Sequence, residues 1–101
     1  MIEMVWIGAR ACPKIICDSC GEEITDVKTA GVVFPNSMDD SQRTSAAYVH
    51  KNFVKGNCMS QAEERICANG GSPGWAELGQ MLADLISNAG MTATDVRKRL
   101  K

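Results

Sequence analysis

The chain has 101 residues, a net charge of -1, 23% charged and 45% hydrophobic residues, a balance that excludes a polyelectrolyte tail or a strongly basic nucleic-acid-binding chain. No apolar run approaches the roughly 18 residues of a membrane span, and MIEMVWIGAR places Glu3, not a basic cluster, ahead of its apolar residues. A single cytoplasmic α+β domain over 1–101, with no membrane partner, is therefore expected. At this length burial alone leaves a thin stability margin, so a metal cross-link would matter.

In chain order, Ile2, Met4, Val5, Trp6 and Ile7 read as a short strand or a docking tail. Ala11-Cys12-Pro13 reads as a break in any regular element. Lys14-Ile15-Ile16 reads as a β segment entering the turn that carries Cys17 and Cys20. The runs TAGVVF (29–34) and AAYVH (46–50) read as a hairpin whose long polar loop, PNSMDDSQRTS, is expected to be mobile. Beyond Gly56-Asn57 the period changes. Met59, Ala62 and Ile66 predict a helix over about 58–68. A second helix is predicted from a Ser72 cap and Pro73 in its first turn to a left-handed Gly90. Its apolar stripe would be Trp75, Leu78, Leu82, Leu85, Ile86 and Ala89, so that 72–101 forms a helical subregion. Thr92 to Asp95 resembles a capping box opening a short basic third helix, VRKRLK.

The cysteines are Cys12, Cys17, Cys20, Cys58 and Cys67, an odd set that suits ligation better than a closed disulfide framework. Cys17-Asp18-Ser19-Cys20-Gly21 has the Cys-x2-Cys spacing that curls a backbone round one ion, with Gly21 relieving the crowding that follows. The sole histidine, His50, ends a predicted strand. Cys58 falls where a helix should begin, where unpaired N–H groups and the helix dipole favour a thiolate.

Knuckle, hairpin and helix in this order, over residues 14–68, resemble the treble-clef class of zinc domains. The resemblance implies a structural Zn2+ at Cys17, Cys20, His50 and Cys58. Seven residues separate His50 from Cys58, where the second pair of such domains commonly has two between its members. Cys12 is an alternative fourth ligand that could fold back across Pro13. Cys67 lies nine positions after Cys58, on the opposite side of a continuous helix, and is expected to be a buried small hydrophobe.

Three function classes follow. The first is a non-enzymatic zinc-binding or regulatory module, sharpest as a DNA-associated one, because DLISNAGMTATDVRKRLK resembles a helix-turn-helix and Arg97, Lys98, Arg99 and Lys101 would meet nucleic acid. Against that stands a plain amphipathic chain end packed through Val96 and Leu100. The second is a protein-interaction adaptor or homodimer built on Trp75, Met81, Leu82, Leu85 and Ile86. The third is a small CxxC redox protein or zinc hydrolase, with Glu22 or Glu23 as base or a Cys58–His50 nucleophile pair. It is disfavoured because three cysteines and a histidine would close the metal shell, and CGEEITDVKTAGVVF has no helix where a thioredoxin-like site needs one. Neither a substrate nor a DNA site is legible in the residues.

Overall fold

The structure is a computed structural model describing residues 1–36, 44–68, 70–92, 94 and 95. Among these it has two small antiparallel sheets and two helices, an α+β arrangement. Strands β1 (Ile2–Ile7) and β2 (Arg10–Ile15) form a two-stranded ribbon closed by Gly8-Ala9. Strands β3 (Ala30–Pro35), β4 (Ala47–His50) and β5 (Pro73–Glu77) form the second sheet in the order β4-β3-β5. Helices α1 (Cys58–Ile66) and α2 (Leu78–Asn88) pack on that sheet.

Strand β3 organises the fold. Ala30, Gly31, Val32 and Val33 are consecutive and all buried. Successive strand residues point to opposite faces, so both faces of β3 are covered. Gly31 permits the closest approach. A Cβ there would sit 2.6 Å from the Met59 Cε of α1 and 3.2 Å from the Ala76 carbonyl. Ala30, Val32, Val33, Val49, Ala62 and Leu78 are fully inaccessible and, with Cys17, Ile24 and Cys58, make up the core of the described residues.

The expected hairpin of 29–34 and 46–50 is present as β3 and β4, with Ala30 opposite His50 and Val33 opposite Ala47. The tip of its connection, 37–43, lies outside the described residues. The helix expected over 58–68 ends at Ile66, with Cys67 as its cap.

Two expectations are corrected. Residues 73–77 are not the first turn of a helix. They form β5, paired with β3 from Gly31–Glu77 to Pro35–Pro73, and α2 starts only at Leu78. A buried central strand must satisfy the backbone groups along both edges, and β4 serves only one. That requirement overrides the Ser72-Pro73 start signal, which is local and weak beside it. Gly74, a poor helix former, fits under the Phe34 ring, where a Cβ would lie 2.6 Å from Cε2. Trp75, assigned by periodicity to the helical stripe, is therefore a strand residue and half-exposed. Gly90, with φ of +83°, does follow the end of α2 in the left-handed region.

The second correction is at Ala11-Cys12-Pro13, which does not break the chain but lies inside β2. The Ile16 N–H donates to the Met1 carbonyl at 2.7 Å, and alternation from that pair turns the Pro13 nitrogen to the open edge of the ribbon. An edge strand tolerates proline there because no ladder donor is lost.

At the far end, the expected capping box forms. The Asp95 N–H donates to the Thr92 hydroxyl oxygen at 3.1 Å, and the Thr92 N–H donates back to the Asp95 carboxylate at 2.9 Å. These bonds hold the exposed Asp95 carboxyl below its ordinary range. Arg97, Lys98, Arg99 and Lys101, with Val96 and Leu100, lie outside the described residues.

Leu78 is buried where α2 leaves β5, so Leu78→Ala should destabilise the chain by about 2–5 kcal/mol with little volume available for collapse. Chemical denaturation at fixed metal loading measures it, with Leu85→Ala, on an exposed position, expected to cost far less.

Candidate metal centre

Three segments bring four side chains to one point. Residues after β2 form a turn in which the Gly21 N–H donates to the Cys17 carbonyl at 3.0 Å and the Cys17 N–H donates to the Glu22 carbonyl at 2.9 Å. Gly21 has φ of +76°, a left-handed conformation that side-chain-bearing residues rarely adopt, and it lets the chain reverse after Cys20. The turn points two peptide N–H groups at one sulfur: Ser19 and Cys20 donate to Cys17 Sγ at 3.4 and 3.5 Å. His50 is the last residue of β4, and Cys58 is the first of α1.

The Sγ atoms of Cys17, Cys20 and Cys58 and one ring nitrogen of His50 lie within 4.8 Å of one another. Cys20 Sγ and His50 Nδ1 are 3.4 Å apart. Metal–sulfur and metal–nitrogen bonds of about 2.3 and 2.0 Å give a tetrahedron with edges of roughly 3.5–3.8 Å, so this set fits one ion with little rearrangement. Cys17, His50 and Cys58 are buried and Cys20 faces solvent.

The four residues singled out from the sequence are thus brought together, and the long gap between His50 and Cys58 is accommodated by a loop. Asn52 closes it. Its Oδ1 accepts the Ser60 N–H at 3.1 Å and its Nδ2 donates to the Ser60 hydroxyl at 2.8 Å. Asn57, the residue before α1, makes no side-chain cap, so Asn52 caps the first turn from outside the helix.

Two further residues were not legible as functional. Asp18 docks the knuckle on β4: its N–H donates to the Tyr48 carbonyl and its Oδ2 accepts the Tyr48 N–H, both at 2.8 Å, two residues before His50. The Ser19 hydroxyl donates to the Cys58 carbonyl at 2.7 Å, joining the knuckle to the start of α1. Arg65 on α1 donates to the Ser19 hydroxyl and the Asp18 carbonyl. A polar pair between two cysteines was the only sequence signal for these roles.

Cys12 lies in β2 and is not part of the cluster, and neither is Cys67, which caps α1 and is half-buried, less so than expected. Glu22 and Glu23 are exposed and face lysines, Lys55 at 3.3 Å and Lys14 at 3.2 Å.

The electrostatics of the cluster are those of crowded thiols. Burial tends to raise the Cys17 pKa, but bonds from the Cys20, His50 and Ser19 backbone outweigh it and bring it down to about 6. Burial pushes Cys58 up to about 12, reinforced by hydrogen bonds with Cys17 and Cys20 and by their charges. Three thiolates at this spacing repel one another, and a cation at their centre removes the penalty.

No family model, curated protein or solved structure matches the chain. Among the described residues no helix is long and apolar enough to cross a membrane.

Two predictions follow from the site. Near pH 7 the Cys58 thiol is protonated without metal and must be a thiolate with it, so divalent-metal binding should release at least one proton per ion. Bound metal depresses the thiol pKa values, so the associated stability is present at neutral pH and lost as pH falls through the metal-bound values. Calorimetric titration in buffers of different ionisation enthalpy gives the proton count. In addition, Asn52→Ala should cost about 1–2 kcal/mol while metal stoichiometry is kept, because it uncaps α1 without removing a donor atom. Denaturation and elemental analysis of the same sample check both halves.

Proposed function

We propose that Cys17, Cys20, His50 and Cys58 bind one Zn2+ as a structural site, and that the protein is a small, non-enzymatic binding or regulatory module. The observation that carries this reading is the convergence of three sulfurs and one imidazole nitrogen within 4.8 Å. Thiolate and imidazole donors in fourfold, tetrahedral supply suit Zn2+ better than the hard, oxygen-seeking Ca2+ or Mg2+.

A structural role is favoured over a catalytic one by the donor count. Catalytic zinc ordinarily keeps a position for water or substrate, and four protein donors leave none. The glutamates nearest in sequence are engaged with surface lysines. A redox role for Cys17 and Cys20 is disfavoured because His50 and Cys58 close on the same point, which a dithiol switch does not require.

The order of parts, with a knuckle ahead of a hairpin and two donors at the hairpin end and helix start, supports a treble-clef-like reading. The ion would link the segment after β2, the end of β4 and the start of α1, which a core of this size holds only weakly on its own. A reducing, cytoplasmic setting would keep the thiols available.

Protein purified under reducing conditions without added metal should contain close to one zinc per chain by elemental analysis. Cys17→Ser, Cys58→Ser and His50→Ala should each lose the metal and the cooperative unfolding transition, and Cys12→Ser should keep both. A cooperatively folded, metal-free chain would overturn the proposal.

A further inference from the structure

The β1–β2 ribbon has two unlike faces. Residues directly opposite in an antiparallel pair project to the same side, and successive positions alternate. The pairs Ile2–Ile15, Met4–Pro13 and Trp6–Ala11 therefore share one face, and Glu3–Lys14, Val5–Cys12 and Ile7–Arg10 share the other. Every side chain on the first face is apolar. All the ribbon's charge lies on the second, where Lys14 also reaches Glu23 at 3.2 Å.

The apolar face is open to solvent. Trp6 is 71% exposed, Met4 59% and Ile2 56%, while Ala11 and Pro13 are exposed and only Ile15 reaches the core. Among the described residues neither helix and no strand of the other sheet covers it. A lone two-stranded ribbon is at best marginally stable in water, and an apolar patch of this extent is unusual on a monomer.

We propose that this face is covered by the same face of a second copy of the chain, the two ribbons stacking face to face in a twofold dimer. The face exposes on the order of 600 Å² per chain, so two copies would remove about 1,200 Å² from water, the lower end for a specific interface. The absence of charge makes the face self-complementary, because no like charges meet when it faces itself. Stacking also turns two marginal ribbons into one two-layered unit with a dry centre. This surface includes none of Trp75, Met81, Leu82, Leu85 and Ile86, on which the sequence suggested association, and the inference does not depend on the proposed metal.

The test is the mass of the metal-loaded chain of 101 residues by sedimentation equilibrium. At about 100 µM, above the dissociation constant of most specific dimers, the mass should be twice that of one chain and should fall toward one chain on dilution. Met4→Lys combined with Trp6→Lys should give one chain mass with metal content unchanged, and Glu3→Gln, on the charged face, should leave the dimer intact. Should the double variant fail to fold, the Trp75→Phe protein decides, since Trp6 is then the only tryptophan. Its emission should shift to the red on dilution in step with the mass. A single-chain mass throughout, a dimer that survives the double lysine variant, or Trp6 emission indifferent to dilution overturns the proposal. Burial of Trp6 only on adding a different protein does so as well.

Discussion

Three sulfurs and an imidazole held within 4.8 Å form the constraint on which the rest of this molecule depends. Burial opposes ionisation of both inner thiols, but backbone hydrogen bonds outweigh it at Cys17 and bring that thiol down to about 6, whereas at Cys58 burial, reinforced by the neighbouring sulfurs, pushes the thiol up to about 12. The fold nevertheless spends polar contacts on holding them there. Asp18 fixes the knuckle to β4, Ser19 fixes it to α1, and Asn52 fixes the loop after His50 to the same helix. A small core alone gives no reason to gather three thiols. Exchange of their protons for a cation, as proposed above, would supply one.

The positions of these contacts come from the central strand. Because Ala30 to Val33 are buried on both faces, β3 needs strands at both edges and packing on both sides, and these demands place His50 and α1 together. Gly31 allows Met59 of α1 to press against the strand, which brings Cys58, one residue earlier, over the end of β4. The candidate metal site and the core are thus one structure: Cys17 and Cys58 belong to the buried apolar cluster as well as to the candidate donor set. The ribbon of β1 and β2 stands apart, tied to this body mainly where Ile15 and Ile16 lead into the knuckle.

Much of the candidate site was legible because it depends on chemistry that is local in the chain. A Cys-x2-Cys pair followed by glycine, a histidine at the end of an apolar alternating run and a cysteine at the onset of a 3.6-residue period each announce themselves over a few positions. Thr92 to Asp95 was legible for the same reason. Periodicity failed at Trp75, which falls on the apolar stripe of the helix that follows, although the five residues from Pro73 belong to a strand. Ser72 and Pro73 supplied a local start signal, but the unpaired edge of β3, some forty residues earlier in sequence, outweighed it. Pro13 misled in the same way, because proline breaks a central strand and not an outward-facing position on an edge.

The sequence by itself determined the donor atoms, the two helical periods and the β3–β4 hairpin, since residue type and spacing over a turn or a strand suffice for those. Only the tertiary structure decided that β5 exists, that Cys12 stands outside the cluster, that Asn52 caps α1 from a loop, and that the ribbon turns a wholly apolar face to solvent. The physical reason is range. Spacing encodes what neighbours in the chain can do, whereas edge pairing, external capping and the sidedness of a ribbon depend on which distant backbone arrives alongside.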